Sequence, residues 1–361
     1  MSDSMNVPDF DDLPQVEGMP QGCAWGVFDK DGKKDVIGTL NLLTPDVVKA
    51  AAAEVKEGVS VSLKCVVLCH AANTIERSGL TSTSWPIGAI KTPGFFRKGL
   101  VHKVMSFIDS PLAAHGFDDE IEFNTQCSSQ WDSLCHFNYQ PTGLAYNGIK
   151  ATVETLVQEF GNEDREKLLP TLNHWHDRGG LVGRGVLIDY KAYADANGIS
   201  YDPFSDHRIT VADIETIAKS QGVEFRQGDI IIVRSGFTEA LGTMSAEEQD
   251  KALGTHRTCG VEGTDESAKW FWNKHFAAVA GDALAFEAIP PIIDGKEETV
   301  AKLVLHQWFL SLFGLPIGEL WDLKALSEQC AKSKRYSFLL TSSPLNIPGS
   351  IGSPPNALAI F

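Results

Sequence analysis

One short stretch of the sequence combines side chains that can bind a metal ion or transfer a proton. It is the run 126–136, where polar residues stand at alternate positions: Gln126, Ser128, Gln130, Asp132 and His136. Side chains alternate along an extended strand, so this spacing predicts that the five share one face. Such a row could hold a divalent cation, orient a water molecule, or do both. The alternative is a polar strand whose side chains only satisfy backbone groups.

The types of donor in this run narrow the chemistry. Carboxylate and amide oxygens favour hard cations such as Mn²⁺ or Mg²⁺, whereas the imidazole of His136 adds affinity for zinc-like metals. An imidazole also titrates near neutral pH, which makes His136 a candidate general base. Gln130 and Ser129 could donate hydrogen bonds to a developing oxyanion. Gln126 and Trp131 are candidates for substrate contacts.

Other residues that could take part in chemistry lie outside this run. His174 and His176 alternate within the segment 173–177 and could line a pocket, although surface histidines beside an acid would look the same. Asp282 and Glu287 could reach the site from a strand end, or they could serve only the structure.

Cysteine usage indicates a reduced protein. The seven cysteines are odd in number and include no CxxC pair, so their spacing fits neither a zinc ribbon nor a small disulfide scaffold. Cys127 and Cys135 flank the polar run, but they have the opposite parity to Asp132 and His136. We therefore expect both thiols to point into the core rather than to act as nucleophiles.

Common enzyme signatures are absent from the sequence. It has no GxSxG nucleophile elbow, no GxxxxGK[ST] phosphate loop, no GxGxxG after a strand and no HExxH. These absences argue against an α/β-hydrolase, a nucleotide-binding or dinucleotide-binding enzyme, and a zincin.

The run 126–136 resembles the metal-binding signature His-x-Gly-Thr-His-x-Asp-x-Pro-x-His of the cyclase family, which includes bacterial kynurenine formamidase and isatin hydrolase. Gln126 and Gln130 stand where that family has its first two histidines, and Asp132 and His136 are retained. The segment looks closer to a divergent branch that writes the motif as Ser-Gln-Trp-Asp. The similarity to that branch covers roughly residues 25–361, and its clearest further segments are 40–45, 183–189, 228–234, 280–287 and 344–346.

A second element of that family is a distant histidine followed about a dozen residues later by an acid. Here the pair is His306 and Glu319, and the resemblance implies that they complete or support the metal site. We expect Glu319 to open a helix, where a carboxylate is favoured. Without the resemblance, an ordinary buried histidine and a helix-terminal glutamate would be the simpler interpretation.

The two glutamines change what such a site can hold. Neutral amides are weaker ligands for zinc than imidazoles are, so a two-zinc centre is not expected. We expect one divalent ion, Mn²⁺, Zn²⁺ or Mg²⁺, held by Asp132, His136, His306 and Glu319. A site that binds no metal is the alternative.

The resemblance implies metal-assisted hydrolysis of an amide, imide or lactone bond in a small cyclic or aromatic metabolite, with His136 as the general base. Two alternatives stay open. One is a lyase or cyclase that uses the same histidine and metal, and the other is a non-catalytic binding protein derived from the enzyme. The family also implies a swivelling β/β/α fold and a homodimer or homotetramer.

Composition excludes several classes of protein. Of the 361 residues, 43% are apolar and 22% are charged, which is ordinary for a globular protein. The net charge of −16 repels phosphate backbones, so we expect no nucleic-acid partner. No stretch reaches the roughly 18 apolar residues of a membrane span, and the acidic N-terminus resembles no targeting peptide. We predict a cytoplasmic protein that acts on a small-molecule substrate.

The elements that must position these residues alternate along the chain. Hydroxyl caps predict a helix from Thr44 to about Gly58, one from Thr210 to Gly222, and one that begins at Ser245. Residues 152–160 and 264–275 are also expected to be helical. Apolar runs predict strands at 59–68, 185–189, 229–234, 277–280 and 336–341. An amphipathic pattern predicts a further helix at 319–334.

This order of elements predicts a single mixed α/β domain over residues 23–341. Residues 1–22 are rich in proline and aspartate and are expected to form an extended arm. Residues 342–361 are too apolar for a free tail, so we expect them to pack on the body or on a partner subunit.

Overall fold

The computed structural model describes residues 5–63, 87–157 and 169–361. Within them the chain forms a mixed α/β fold around one curled nine-stranded sheet, which confirms the predicted fold class. The strands, in chain order, are β1 (Ser60–Ser62), β2 (Val101–Ser106), β3 (Phe117–Glu122), β4 (Gln130–Asp132), β5 (Leu181–Asp189), β6 (Arg208–Ile209), β7 (Ile230–Arg234), β8 (Gly260–Val261), β9 (Ala278–Gly281), β10 (Ile292–Ile293), β11 (Lys296–Glu297), β12 (Ile317–Glu319), β13 (Ser337–Ser342), β14 (Gly352–Ser353) and β15 (Leu358–Ile360).

Helices connect these strands and pack against the main sheet. They are α1 (Pro45–Ala52), α2 (Val153–Leu156), α3 (His174–Asp177), α4 (Tyr190–Ala196), α5 (Val211–Ser220), α6 (Phe237–Gly242), α7 (Ala246–Leu253), α8 (Asp265–Asn273), α9 (Val304–His306) and α10 (Lys324–Ser333). A π-helical stretch, Gln307–Phe313, continues α9. In the three described ranges, no helix is both long and apolar enough to span a bilayer.

The main sheet has parallel strands at its centre and antiparallel strands on both sides. Its order is β1-β15-β13-β5-β7-β9-β12-β4-β14. The neighbours β5, β7, β9 and β12 run parallel, whereas the flanking pairs are antiparallel. Parallel strands are covered on both faces, and accordingly every residue of β7 is buried. Within the described residues, β2–β3, β6–β8 and β10–β11 form separate two-stranded sheets.

Most of the predicted strands are confirmed. Those predicted at 185–189, 229–234, 277–280 and 336–341 are β5, β7, β9 and β13, with bounds that differ by a few residues. The strand predicted at 59–68 is represented by β1, and residues 64–68 lie outside the described residues.

Side-chain caps begin five of the helices, and three of these caps, at Thr44, Thr210 and Ser245, were predicted. A backbone N–H of the first turn donates to the side chain of Thr44, Thr152, Thr210, Ser245 or Thr264. Each cap satisfies an N–H that has no carbonyl within the helix. The helix after Thr44 ends earlier than predicted, and residues 158–160 of the helix predicted after Thr152 lie outside the described residues.

The prediction of a helix at 319–334 is wrong for its first residues. Ile317–Glu319 is strand β12, because its backbone pairs with β9 on one side and with β4 on the other. Leu320 then turns the chain with a φ of 55°, and α10 begins only at Lys324. Glu319 therefore ends a strand instead of opening a helix.

Both ends of the described chain pack on the body. Near the C-terminus, β14 pairs with β4, and β15 pairs with both β13 and β1, so residues 342–361 complete the main sheet. Near the N-terminus, Phe10 is buried against Trp308 and Phe313. The carbonyl of Pro8 accepts a hydrogen bond from the indole of Trp272 at 2.9 Å.

Candidate metal centre

Strands β4 and β12 place three polar side chains on one face of the sheet. Gln130 lies opposite Glu319 in this antiparallel pair, and Asp132 lies two residues further along β4. Paired residues share a face, and so do residues two apart, so the three side chains meet. Nε2 of Gln130 donates to Oε2 of Glu319 at 2.7 Å and to Oδ1 of Asp132 at 3.3 Å. All three residues are buried.

His306 reaches the same place from the end of α9. Its Nε2 lies 3.1 Å from Oε1 of Glu319, and its Nδ1 lies 2.9 Å from Oε1 of Glu287. The Glu287 carboxylate also accepts the backbone N–H groups of Val304 and His306. Gly263 leaves room for it, because a Cβ there would lie 2.3 Å from Oε2 of Glu287. A carboxylate on the far ring nitrogen is what orients a metal-ligating histidine.

Asp132, His306 and Glu319 form a group that could hold a metal ion. One ligand atom of each lies within 4.8 Å of the others, and all three side chains are buried. In the part of the chain that the structure describes, two buried acceptors here have no hydrogen-bond partner: Oδ2 of Asp132 and Oε1 of Gln130. Each unpaired buried oxygen costs about 1–3 kcal/mol. Such oxygens are suited to bind a cation.

Burial and mutual contact shift the pKa values in this group. Burial raises the pKa of Asp132 well above its usual value, and the charge of Glu319 raises it further. Burial opposes a charged His306, but its hydrogen bonds to Glu287 and Glu319 raise its pKa to about 10. Burial would also raise the pKa of Glu319, but the contact with His306 lowers it. A divalent cation would favour the ionised carboxylates and the neutral imidazole instead.

Gln126 and His136 approach Asp132 through turns rather than along an extended strand. The predicted common face over 126–136 is wrong, because β4 spans only Gln130–Asp132. Nε2 of Gln126 nevertheless lies 2.6 Å from Oδ1 of Asp132 and 3.0 Å from Nδ1 of His136. Gly352 permits this approach, since a Cβ there would lie 2.7 Å from Cγ of Gln126.

His136 is not part of the three-residue group, although the sequence predicted it as a ligand. The amide of Gln126 contacts both the ring of His136 and the carboxylate of Asp132, and so stands between them. Burial lowers the pKa of His136 to about 3, so the ring is neutral at physiological pH. The neutral ring can accept a proton, but a pKa this far below neutral makes it a weaker base than the near-neutral imidazole expected from the sequence.

Trp131 belongs to the hydrophobic core. It is fully buried, with its ring edge-on to Trp175 and Trp321, and its Nε1 donates to the hydroxyl of Ser342 at 2.9 Å. Because neighbours along a strand point to opposite faces, it faces away from Asp132. This placement speaks against the expected substrate contact of Trp131.

Ser129 supports the turn that follows Glu319. Its hydroxyl donates to the carbonyl oxygen of Leu320 at 2.6 Å. Leu320 has a φ of 55°, which is costly for a residue with a Cβ atom and therefore needs support from its surroundings. The hydroxyl proton of Ser129 is engaged in this bond and does not point to an oxyanion.

Cys127 and Cys135 are buried free thiols, which confirms that they belong to the core. Burial raises the pKa of both, that of Cys135 to about 12. A thiol that stays protonated is a poor nucleophile.

The structure does not bring His174 and His176 to the three-residue group. Both lie on α3, where Nδ1 of His174 is 3.3 Å from the carboxylate of Asp177. Nε2 of His176 is 2.8 Å from the carbonyl oxygen of Pro344. His174 lines a separate cavity of about 400 Å³.

The sequence left open the roles of Glu287 and Asp282, and only the first of them contacts the candidate metal centre. Glu287 contacts His306 and so reaches the site. Asp282 instead accepts hydrogen bonds from the backbone N–H groups of Ser235 at 2.6 Å and Gly236 at 2.7 Å.

Sequence reasoning missed Arg97. Its Nη1 donates to the carbonyl oxygen of Gln126 at 3.1 Å, and its guanidinium lies over the ring of Phe95. Its positive charge partly offsets the rise in the pKa of Asp132 and adds to the lowering of the pKa of Glu319 by the histidines. A single arginine in a loop has no periodicity or motif, so no sequence signal could have identified it.

Comparison with known families agrees with the signature read from the sequence. A family model described as "Putative cyclase" matches residues 74–288, which is more than half of the chain. The chain belongs to this cyclase family. The matched range contains Gln130, Asp132 and Glu287 and ends before His306 and Glu319. The predicted family is thereby confirmed.

Solved structures show the same fold for this cyclase-family protein. A crystal structure described as a novel cyclase is 27% identical, with a TM-score of 0.72 over 93% of this chain and 99% of its own. Isatin hydrolase A from Ralstonia solanacearum is 14% identical, with a TM-score of 0.51 over 88% of this chain and 98% of its own. The second likeness shows the fold alone. Among curated proteins, none matches the chain significantly.

Proposed function

We propose that this cyclase-family protein is a metal-dependent hydrolase that opens an amide, imide or lactone bond in a small cyclic or aromatic metabolite. The observation that carries the proposal is the buried group of Asp132, His306 and Glu319 with its two unpaired acceptors. A polar cluster that served only the fold would pair its oxygens internally. One protein of the same fold is named an isatin hydrolase, which is consistent with hydrolysis.

The donor set fits one divalent cation. Asp132 and Glu319 offer carboxylate oxygens. His306 offers its Nε2, while its other ring nitrogen, Nδ1, contacts Glu287. Oε1 of Gln130 has no other partner and is a candidate fourth ligand. Three oxygens and one nitrogen favour Mn²⁺ or Mg²⁺ over Zn²⁺. When bound, such an ion supplies a Lewis acid for the substrate carbonyl and lowers the pKa of an attacking water.

The protein's own side chains orient the reactants and move the proton in this proposal. His136 accepts the proton of the attacking water, and Gln126 holds its ring beside Asp132. Nε2 of Gln130 bonds to both carboxylates and fixes their separation. Ser129 acts indirectly, because it supports the turn after Glu319.

A lyase or cyclase reaction is the second candidate, and the description of the family favours it. The same ligands and the same histidine would then assist bond rearrangement without net addition of water. The identity of the product separates the two candidates, because a hydrolase adds one water to the substrate.

Product analysis with purified protein tests the proposed function. Protein loaded with Mn²⁺ would be incubated with a panel of cyclic imides, lactones and aryl formamides, and the products would be identified by mass spectrometry. We expect ring-opened or deformylated products that contain one added water. Substitution His136→Ala should lower the rate by roughly 10²–10⁴-fold, the usual contribution of a general base. The exposed His115→Ala is the matched control.

Products without added water would overturn the hydrolase in favour of the lyase or cyclase. No turnover and no bound metal would favour a non-catalytic binding protein. A His136→Ala variant that keeps full activity would remove His136 from the mechanism.

Self-association into a homodimer or homotetramer belongs to the same proposal. The hairpin β2–β3 carries Val104, Phe117 and Ile121 on one face, and they are 58%, 73% and 58% exposed. An isolated two-stranded hairpin is marginally stable in water, and exposed apolar patches mark sites of association. Light scattering should find an oligomer, and Val104→Asp should shift it towards the monomer.

A further inference from the structure

A second polar cavity lies apart from the candidate metal centre. Its volume is about 230 Å³, and it is bounded by β5, by the turn after α5 and by the turn between α10 and β13. Four of the residues that line it are cationic: Arg184, Arg226, Lys334 and Arg335. This is a high density of positive charge for a chain with a net charge of −16.

The acids around the cavity pair incompletely with these cations. Oε2 of Glu54 accepts hydrogen bonds from Arg335 at 3.2 Å and from Ser337 at 2.9 Å. Its Oε1 lies 3.7 Å from Nε of Arg184 and 3.7 Å from Nη1 of Arg226, too far for good hydrogen bonds. One carboxylate thus stands among three arginines.

Arg184 forms the buried base of the cavity and has unused donors. The residue is 6% exposed, and its Nη2 donates to the carbonyl oxygen of Glu224 at 3.0 Å. Its Nε and Nη1 make no hydrogen bond within the described residues, and neither does Nη1 of Arg335. Buried donors of a charged group that stay unpaired are costly.

The carboxylate nearest to Nη1 of Arg184 compensates it only in part. Oδ1 of Asp229 lies 3.6 Å away. Burial raises the pKa of Asp229 to about 7 in spite of the nearby arginine, so this carboxyl is only partly ionised at neutral pH. Glu57 is further off, at 3.8 Å from Arg335. Glu224 also lines the cavity, so four acids surround the four cations. What the cavity offers an anion is therefore the unpaired donors of Arg184 and Arg335.

We propose that this cavity is an anion site that binds a phosphate-sized oxyanion through Arg226, Lys334 and Arg335, with Arg184 at its base. Arginine presents paired donors that match phosphate and carboxylate oxygens. The cavity is smaller than the roughly 300–1,000 Å³ of pockets for drug-sized ligands, so it fits the anionic group and not a whole nucleotide. The proposal does not depend on the reaction at the metal centre.

Titration calorimetry of the full chain with inorganic phosphate tests this proposal, with sodium chloride at equal ionic strength as the reference. We expect saturable binding with one site per chain and a rise in the unfolding temperature that chloride does not produce. Glycerol 3-phosphate and citrate form two further arms. Tighter binding of the first indicates a phosphorylated metabolite, and tighter binding of the second indicates a carboxylate ligand.

Variants of the exposed cations show whether the binding occurs in this cavity. Arg226→Gln with Lys334→Gln should weaken phosphate binding by roughly tenfold or more, the usual loss when charge-assisted hydrogen bonds disappear. Both side chains are largely solvent-exposed, so the fold should be kept. Lys332→Gln, in the last turn of α10 and outside the cavity lining, is the matched control and should bind like the wild type. Absence of saturable binding in the wild type, or unchanged binding in the double variant, would overturn the proposal.

Discussion

Two buried polar clusters lie on the main sheet and differ in how completely their atoms are paired. The carboxylate–histidine cluster, beside β4 and β12, consists of Gln130, Asp132, Glu287, His306 and Glu319. The Arg234 cluster lies at the carboxyl ends of β5, β7 and β9, apart from the anion cavity, and consists of Asp189, Arg234, Ser235, Glu239 and Asp282.

The hydrogen-bonding groups of the Arg234 cluster are paired. Arg234 donates to Asp189 at 2.7 Å and to Glu239 at 2.6 Å. Asp282 accepts the backbone N–H of Ser235 at 2.6 Å and its hydroxyl at 2.7 Å. As far as the structure describes the chain, no buried side-chain polar atom of this cluster lacks a partner. Its charges therefore serve the fold.

The carboxylate–histidine cluster is fully buried, whereas Glu239 of the Arg234 cluster is partly exposed, and yet it is the fully buried cluster that is incomplete. Oδ2 of Asp132 and Oε1 of Gln130 have no partner among the described residues. Open acceptors lower stability, and natural proteins tolerate such costs mainly at functional sites. The comparison teaches that pairing, and not burial or charge, separates a structural cluster from one that awaits a ligand.

The largest expected effect is the loss of stability when the Arg234 cluster is broken. Arg234→Met should lower the free energy of unfolding by about 3–5 kcal/mol, because it leaves buried Asp189 without its counter-charge. Urea denaturation measures this. Lys269→Met, which breaks an exposed ion pair with Asp11, is the control and should cost less than about 1 kcal/mol. A similar small loss for both variants would contradict the structural role of the cluster.

The second-largest effect should be the loss of stabilisation by Mn²⁺ when a ligand of the carboxylate–histidine cluster is replaced. Asp132→Asn should leave the metal-free protein as stable as the wild type or more so, because an amide can donate where the carboxylate leaves an oxygen unpaired. It should also abolish the stabilisation by Mn²⁺, which for the wild type is about 2.7 kcal/mol at a hundred times the dissociation constant. Urea unfolding with and without Mn²⁺ checks both statements. Equal stabilisation of the two proteins would argue against Asp132 as a ligand.

A smaller effect is expected from the residue that orients His306. Glu287→Gln keeps a hydrogen-bond acceptor but removes the charge, and should weaken metal binding by roughly 10–100-fold. Titration calorimetry with Mn²⁺ measures the change, with the exposed Glu298→Gln as control. If affinity is unchanged, Glu287 only holds the backbone of Val304 and His306.

The smallest effect should come from the thiol beside the motif. Cys135→Ala removes a buried sulfur and should cost about 1 kcal/mol of stability, as ordinary core substitutions do. Metal affinity and activity should stay the same. A loss of activity without a loss of stability would show that the thiol takes part in chemistry.

Local signals explain why much of the fold could be predicted from the sequence. Thr210 and Ser245 cap their helices through contacts within four residues, and the apolar run of β7 needs no partner to be recognised. Glu319 could not be placed in this way. Its strand exists because β9 and β4, distant in sequence, pair with it.

The candidate site likewise has features that local sequence patterns predict and features that depend on distant contacts. The donor types of the run 126–136 pointed to a metal, but the alternation of its side chains failed, because turns on both sides of β4 shape it. Only the family resemblance linked this run to His306 and Glu319. Arg97 enters through a loop contact that no pattern encodes.

The most direct test of the central claim is a crystal structure with anomalous scattering data at the manganese edge, from protein purified without chelators and supplied with Mn²⁺. The account predicts one anomalous peak bonded to Asp132, His306 and Glu319, and no peak in crystals of the Asp132→Asn variant. A peak held by other residues, or none in the wild type, would contradict it.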